Sequence, residues 1–435
     1  MEPQAEVPAN SAFDPYSAAT RSDPVRAFAD FARTCPVDRY NGRFDFFMVN
    51  DPDYVEKVIL ADTDAWTIEQ GNAPTVLPDD LKTPMLRDDS SHLEVRRIIQ
   101  RAFSPAELVR IEGMVGRICD ELIDRMLAMP EAEGDFFELF AMPLPSRLMC
   151  ALMGVPEADY TRYKDWADRY YHGLFNDPDF TAERQMEEAH EIAGSLFALI
   201  AARRAELESR GLEPDMALVG TELPNDFMSR FMCSTLGNEP VPDGLALSLM
   251  LAVILGGNET TMNLIGNLLW RLLDRPELWD RLKDDPDLID AAIEESLRLD
   301  PPVLAQFRSA RSDVELAGVR IPAGAKAMYN IVAVNQNPDL FDSPAEFRLD
   351  RPRAVARRHA SFGGGVHLCI GAGMARMEVK RAFRSLLARL PDLRLAGEPS
   401  RGEGFNVWGP TRLPVRWGKG PACTATAPLP GNQAR

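Results

Sequence analysis

A long apolar segment with a polar centre constrains the fold of this chain most strongly. Hydrophobic periodicity predicts a helix over residues 242–273, about 48 Å long at 1.5 Å per residue. Residues 246–255 are so apolar that this helix must be buried on nearly all sides. Its centre nevertheless carries Gly256, Gly257 and Asn258, and each glycine costs a helix about 1 kcal/mol relative to alanine. We therefore expect the centre of the helix to admit another group.

Helical patterns dominate the rest of the sequence and predict a mainly α fold with a small β region. The other predicted helices span residues 93–103, 105–129, 145–153, 157–174, 181–209, 276–282, 288–299 and 372–390. A hairpin that turns at Ala317 and Gly318, together with the apolar stretch 327–334, predicts the sheet. No linker or repeat separates two cores, so we expect one domain over residues 15–418. Residues 1–14 and 419–435 are rich in small residues and proline, which predicts flexible ends.

Charge and cysteine usage exclude several classes of protein. The chain has 48 basic and 66 acidic residues and a net charge of −18, which repels nucleic acid and anionic lipid surfaces. Its six cysteines form no CxxC pair, so neither a zinc module nor a secreted disulfide framework is indicated. The longest apolar run, 245–255, is too short to cross a bilayer. These features predict a cytoplasmic protein without a membrane anchor.

The segment 362–371, FGGGVHLCIG, carries the strongest chemical signal. Three adjacent glycines allow the backbone to turn tightly and to approach another group closely. Cys369 then lies just before a predicted helix N-terminus, where backbone NH groups and the helix dipole favour a thiolate. We interpret Cys369 as a metal ligand. The alternative is a free cysteine buried in a glycine turn.

This segment resembles the cysteine-ligand loop of the cytochrome P450 haem-thiolate monooxygenases of the soluble bacterial type, and the resemblance extends over residues 15–418. The matching positions are Phe362, Gly363, Gly365, His367, Cys369 and Gly371. The resemblance implies a single triangular helical domain around a buried haem b, with Cys369 as the axial ligand of the iron and dioxygen as cosubstrate. A thiolate ligand pushes electron density onto iron and favours O–O cleavage.

The centre of the long helix resembles the oxygen-binding kink of the same family. The resemblance implies that Gly256 and Gly257 make room for dioxygen, and that Glu259 and Thr260 deliver protons. The alternative is that Thr260 bonds back to a helical carbonyl and that Glu259 forms an ion pair.

Further matches concern the haem propionates and a structural ion pair. The resemblance implies propionate partners, which are His92, Arg96, Arg308 and His367. Glu295 and Arg298 resemble the ion pair of the family's ExxR motif. The usual third partner is an arginine at the position of Glu346, so its role could pass to Arg348, Arg351 or His359.

Family position also predicts two weaker sets of residues. The substrate pocket is expected to include Ala252, Val253, Val303, Leu304, Phe405 and Val407. Arg376, Lys380 and Arg384 form a basic stripe at i, i+4 and i+8, which could bind an acidic redox partner. The alternative for this stripe is an ordinary solvated helix face.

Together these features predict a monooxygenase that hydroxylates a small to medium hydrophobic substrate of terpenoid, steroid, fatty-acid or alkyl-aromatic type. Electrons would come from a separate [2Fe–2S] ferredoxin or a flavodoxin with its NAD(P)H-dependent reductase. The alternatives are a haem-thiolate peroxygenase and a non-catalytic haem sensor or electron carrier. The sequence does not fix the substrate, the carbon oxidised, the reductase or the oligomeric state.

Overall fold

The computed structural model describes residues 13–78, 84–402 and 405–418. Residues 1–12 of the predicted flexible N-terminal segment, and all of the predicted tail 419–435, lie outside this range. The helices are α1 Ala18–Ser22, α2 Pro24–Ala32, α3 Pro52–Tyr54, α4 Ser90–Ala102, α5 Pro105–Leu127, α6 Pro143–Met153, α7 Tyr160–Asn176, α8 Ala182–Ser209, α9 Phe227–Met232, α10 Asp243–Gly257, α11 Glu259–Asp274, α12 Pro276–Asp284, α13 Ile289–Leu299, α14 Ile331–Asn335, α15 Arg353–Ala356 and α16 Ala372–Arg389. The strands are β1 Val37–Asn41, β2 Asp45–Val49, β3 Trp66–Thr67, β4 Glu133–Asp135, β5 Thr235–Leu236, β6 Glu239–Pro240, β7 Ala305–Ala310, β8 Val314–Leu316, β9 Val319–Ile321, β10 Lys326–Asn330, β11 Arg394–Leu395, β12 Ser400–Arg401, β13 Pro410–Arg412 and β14 Pro414–Arg416.

The helices pack around α10 and α11, which together form the predicted long helix. α6, α8 and α9 contact α10, while α6, α12, α13 and α16 contact α11. Among the described residues, the span Asp243–Asp274 alone has the length and apolar character of a membrane helix. Its contacts with these helices assign it to the protein core, where a helix of this composition is equally at home.

The long helix is interrupted at Asn258, and the break has a packing cause. The buried side-chain oxygen of Asn258 accepts a hydrogen bond of 2.7 Å from the Ser146 hydroxyl on α6. A Cβ atom on Gly257 would lie 2.8 Å from the sulfur of Met149, also on α6, whereas a Cβ on Gly256 would meet open space. The first glycine therefore faces space, and the second permits close helix contact.

The main sheet has five strands in the order β1-β2-β10-β7-β3. β2 and β10 are parallel, and the other pairs are antiparallel. The predicted hairpin is present as β8 and β9, with Ala317 at φ 51° and Gly318 at φ 77° in its turn. The predicted apolar stretch 327–334 begins in β10 and continues as α14. The mainly helical fold with a small sheet is thus confirmed.

A buried charge network joins α13 to the segment that follows α14. Glu295 and Arg298 are fully buried and form a bidentate ion pair with two N–O distances of 2.9 Å. The third partner is Arg351, whose Nε donates to Glu295 at 3.0 Å. Glu346 contributes its backbone carbonyl, which accepts a bond of 2.7 Å from Arg298. Since the amide of Arg348 also donates to Glu295 at 3.0 Å, the network is complete without an arginine at position 346.

Candidate functional site

A cavity of about 360 Å³ is lined both by the broken helix and by the loop that carries Cys369. This volume lies within the range of small-molecule and cofactor sites. The structure brings most of the predicted site residues to this one cavity. They are Arg96, Ala252, Val253, Gly256, Gly257, Glu259, Thr260, Val303, Arg308, Phe362, Gly363, His367, Cys369, Gly371 and Val407.

Glycine conformation shapes the loop before Cys369. Gly363 and Gly365 have φ of +68° and +61°, in the region that side chains with a Cβ rarely adopt. A Cβ on Gly365 would overlap the carbonyl oxygen of Leu60, so the loop can approach this backbone only with glycine there. The amide of Cys369 donates to the carbonyl of Phe362 at 2.9 Å and closes the loop.

The surroundings of Cys369 suit a metal-bound thiolate. Burial raises the pKa of the Cys369 thiol, while the NH groups of Gly371 and Ala372 and the charges of Arg96 and Arg376 oppose the rise. A coordinating metal ion deprotonates a thiol outright, so the remaining barrier to the thiolate disappears on coordination. The NH groups that point at the sulfur then stabilise its charge.

Two arginines that line the cavity have no acidic partner among the residues that the structure describes. Arg308 is 5% exposed, its guanidinium donates to the carbonyl of Phe307 at 2.8 Å, and it lies over the ring of Tyr329. Arg96 donates to the carbonyl of Leu368 at 2.5 Å, and burial lowers its pKa. Neither forms an ion pair with a described carboxylate, although buried charges are normally paired. A haem, with two propionate carboxylates, has the charges that these arginines lack.

Of the two histidines predicted to bind the propionates, His367 lines the cavity and His92 does not. His367 lines the cavity, but its Nε2 lies 2.6 Å from a carboxylate oxygen of Asp88. Burial would raise the pKa of Asp88, but hydrogen bonds from His367, Thr67 and Arg311 lower it to about 2. His92 does not line the cavity and packs against the His367 ring at 4.4 Å between centroids. Sequence reasoning missed Asp88, because nothing local links it to His367.

Glu259 and Thr260 begin α11 and face the cavity. Burial raises the pKa of Glu259 to about 8, the Asp168 carboxylate adds to the rise, and Lys164 opposes it. Its Oε2 atom has no hydrogen-bond partner in the described part of the chain, and the ion pair considered from the sequence is not seen there. The Thr260 hydroxyl donates to the Gly256 carbonyl at 2.8 Å, which is the helical bond considered as an alternative. That bond uses the hydroxyl hydrogen of Thr260, while the hydroxyl oxygen can still accept a hydrogen bond from another group.

The prediction is wrong for two pocket residues, Leu304 and Phe405, which do not line the cavity. Leu304 and Phe405 are fully buried, and the Phe405 ring packs against Tyr16 and Phe28. Val303 and Val407 pair in a short antiparallel bridge and do line the cavity. Successive side chains of an extended segment point to opposite sides, which separates Val303 from its neighbour Leu304. The wall also includes Ile68, Met149, Tyr171, Phe175, Leu264 and Asn406.

The predicted basic stripe on α16 is paired with carboxylates on and before α13. Arg376 forms a bidentate ion pair with Glu294 at 2.7 and 2.9 Å. Lys380 lies 2.8 Å from Asp290, and Arg384 lies 3.5 Å from Asp287. Each of the three cations therefore lies beside a carboxylate, and Glu294 is shared with Arg357 and His359, so the role of the stripe as a docking surface stays a prediction.

Comparison with known proteins agrees with this geometry. The chain matches the family model for Cytochrome P450 over residues 37–391. Cytochrome P450 monooxygenase PikC of Streptomyces venezuelae is 34% identical over 341 residues, which cover 77% of this chain and 75% of that protein. The methyl-branched lipid omega-hydroxylase of Mycobacterium tuberculosis is 31% identical, with 76% and 73% covered. The solved structure of CYP108D1 from Novosphingobium aromaticivorans superposes with a TM-score of 0.80 at 27% identity, covering 95% of this chain and 99% of that one.

Replacing Gly365 by alanine should abolish most haem binding. An alanine at this position would have to adopt the positive φ of Gly365, and its Cβ would clash with the carbonyl oxygen of Leu60. Gly318→Ala is the matched control, because Gly318 has a φ of +77° but open space around its Cβ and lies in the β8–β9 turn. We expect this control to lose about 1 kcal/mol of stability and to retain full haem content. Haem content and the carbon monoxide difference spectrum measure the outcome, and equal haem content in both variants would contradict the role of Gly365.

Proposed function

Because the chain belongs to the cytochrome P450 family of haem-thiolate monooxygenases, we propose that it hydroxylates a small to medium-sized hydrophobic compound with dioxygen. The observation that carries this proposal is the meeting, in one cavity, of Cys369, two arginines that form no ion pair with a described carboxylate, and the Glu259–Thr260 pair. We infer that Cys369 holds haem iron, and that Arg96 and Arg308 bind the propionates, with His367 beside them. When bound, the haem supplies dioxygen binding and its reductive activation.

The part of Glu259 and Thr260 in this proposal is proton delivery. With a pKa of about 8, Glu259 retains its proton at neutral pH and can act as an acid. Thr260 lies next to it in the chain, and its hydroxyl oxygen can accept a hydrogen bond while its own hydrogen bonds to Gly256. To relay a proton, the Thr260 hydroxyl turns from the Gly256 carbonyl, takes a proton from Glu259 on its oxygen and gives its own hydrogen into the cavity, and Glu259 is then reprotonated from solvent.

The substrate proposal rests on the apolar wall of the cavity. Ala252, Val253, Val303, Val407 and Phe175 line it. Such a wall favours terpenoid, steroid, fatty-acid or alkyl-aromatic compounds, since burial of apolar surface drives their binding. The similarity to a lipid omega-hydroxylase supports a hydrophobic guest.

Titration of the ferric haem-loaded protein with a panel of these four classes should shift the haem absorption band for one of them. Val407→Phe reduces the cavity volume and should weaken binding of bulky guests by roughly tenfold, whereas Val319→Phe on β9, outside the cavity, should not. If no hydrophobic class shifts the band of a haem-loaded protein, the proposed substrate class is wrong.

Removing the Thr260 hydroxyl should separate dioxygen consumption from product formation. In Thr260→Ala we expect NAD(P)H oxidation to continue. The amount of product formed per NAD(P)H oxidised should fall roughly tenfold, and hydrogen peroxide should form instead. Thr260→Ser keeps the hydroxyl and should keep the ratio. In the wild type the ratio should fall as pH rises through about 8, because Glu259 then loses its proton, and Glu259→Gln should have a low ratio without this pH dependence. An unchanged ratio in Thr260→Ala would exclude the proton relay.

We infer that electrons come from a separate acidic ferredoxin or flavodoxin with its NAD(P)H-dependent reductase, in the cytoplasm. Since the α16 stripe is paired, we shift the proposed docking surface to α4. Arg97 and Arg101 are exposed, lie four residues apart on this helix, and form no ion pair with the described carboxylates. α4 contacts the cysteine loop through Arg96 and Leu368, so a partner bound there would lie close to Cys369. Leu93 and Val366, 47% and 44% exposed, add an apolar centre.

The double variant Arg97→Gln/Arg101→Gln should slow reduction by the partner about tenfold at low ionic strength and weaken the salt dependence of that rate. The matched control is Lys380→Gln/Arg384→Gln, which removes two paired charges and should have little effect. Stopped-flow reduction under carbon monoxide measures both rates. The opposite ranking of the two double variants would return the docking surface to α16.

A further inference from the structure

The end of α7 separates the cavity that contains Cys369 from solvent. Tyr171 and Phe175, near the C-terminus of this helix, line the cavity. Asn176, the last residue of α7, is half-buried and contacts the exposed Arg43. Along the chain, the cavity wall and the surface are therefore one residue apart, and a small displacement of this helix end would open the cavity to solvent.

Other parts of the wall are held by contacts within the helical core. Asn258 in the broken helix accepts a bond from Ser146, and the hydroxyl of Tyr171 donates to the Leu255 carbonyl on α10 at 2.8 Å. The end of α7 leads instead into residues 177–181, a short and partly exposed connection to α8. We therefore expect the wall to move at this end of α7.

The end of α7 has backbone carbonyls that the helix cannot satisfy by itself, because the last four carbonyls of an α-helix lack partners within the helix. The Gly173 carbonyl accepts a bond of 3.2 Å from the amide of Asp177. The carbonyls of Phe175 and Asn176 accept from side chains that are more than 130 residues away in the sequence. The last turn of α7 also carries no basic residue to complement the helix dipole.

Tyr16 and Arg43 satisfy these two carbonyls. The hydroxyl of the buried Tyr16 donates to the Phe175 carbonyl at 2.9 Å, and Nη1 of Arg43 donates to the Asn176 carbonyl at 2.8 Å. The guanidinium of Arg43 lies over the Tyr16 ring, 4.9 Å from its centroid, so the two side chains support each other. Burial raises the pKa of Tyr16, so its hydroxyl keeps its proton and remains a donor.

Both donors belong to one packed region outside the helical core. Tyr16 lies just before α1, and Arg43 lies in the turn between β1 and β2. The Tyr16 ring packs against Phe405 at 4.7 Å, Phe44 at 5.6 Å and Tyr40 at 5.7 Å between centroids. Movement of the α7 end away from this region would break both hydrogen bonds together.

We propose that Tyr16 and Arg43 form a latch, which holds the end of α7 over the cavity and must release it before a bulky guest enters or leaves. This inference rests on the proposed function, since it takes the cavity as the guest site. Both bonds exist only in the closed arrangement, so they raise the barriers to entry and to exit alike. Loss of either bond should therefore raise the association and dissociation rates by the same factor and leave the equilibrium affinity unchanged.

Stopped-flow binding of 4-phenylimidazole to the ferric haem-loaded chain measures both rates. This bulky probe binds iron through its imidazole nitrogen, so the natural substrate need not be known. Tyr16→Phe keeps the ring and removes the hydroxyl, while Arg43→Met keeps the stem and removes the donors. In each variant we expect both rates to rise roughly fivefold. Carbon monoxide rebinding to the ferrous protein after flash photolysis should keep its rate, because so small a ligand does not require release of the latch.

Arg39→Met is the matched control. Arg39 lies on the same hairpin, pairs with Asp45 at 2.7 Å and lies over the Phe47 ring at 5.7 Å. Its replacement removes a comparable polar contact and ring contact while leaving both latch bonds in place, so both rates should stay unchanged. Circular dichroism and haem content verify folding, and Arg43→Met, at an exposed position, decides the outcome if Tyr16→Phe does not fold.

Hydrogen exchange followed by mass spectrometry gives a second readout, which does not depend on haem ligation. A peptide that spans residues 173–181 should exchange faster in both latch variants, because the end of α7 opens more often. A peptide that spans residues 160–166, at the start of α7, should keep its exchange rate.

Unchanged probe rates in both latch variants, equal acceleration in Arg39→Met, or a rise in the dissociation rate alone would overturn the latch. Equal acceleration of carbon monoxide rebinding would overturn it as well, because the effect would then lie at the haem rather than at the entrance. A wild type that binds neither haem nor the probe would overturn the proposed function and the latch with it. The two failures are thus distinguishable.

Discussion

Two adjacent carboxylates on α13 hold the loop that carries Cys369 from both of its ends. Glu295 binds Arg351 in the segment before the loop, and Glu294 binds His359 in the same segment and Arg376 on the helix after it. Burial would raise the pKa of Glu294, but its bonds from His359 and Arg376 lower it to about 2. Removing one partner from such a buried network leaves an uncompensated charge, so the loop cannot easily move relative to α13.

The rigid attachment of the loop explains why glycine is required within it. A loop fixed at both ends has one path between them, and at Gly365 that path runs against the Leu60 carbonyl. The broken helix is fixed by the same kind of constraint. Asn258 bonds to Ser146, and Gly257 packs on Met149, so α6 holds the break at one position. The cavity is thus bordered by two backbone segments whose irregular geometry is set by buried contacts, as expected of a preorganised site.

The sequence predicted the fold class, the broken helix and the cysteine loop because their signals are local: periodicity, glycine runs and a short motif. It could not predict partners that only tertiary structure brings together. Arg376 and Glu294 are 82 residues apart, and Lys380 and Asp290 are 90 apart, so the stripe looked unpaired. Arg351 could not be chosen over Arg348 without the structure. Leu304 was misplaced because the bridge between Val303 and Val407, which sets the alternation at Val303, joins distant segments. Phe405 was misplaced because its ring packs against Tyr16 and Phe28, which lie far away in the sequence.

The distribution of arginine partners separates structural charges from charges that await a ligand. On this acidic chain most buried or half-buried arginines bind a carboxylate, as Arg298, Arg351 and Arg376 do. Arg308 is buried and has no ion pair with a described carboxylate. Acidic residues are abundant here, so a buried arginine without a close acidic partner is not explained by a shortage of carboxylates. Its cost is compensated only when a bound anion completes the site, which is why the position of Arg308 indicates a ligand rather than a structural ion pair.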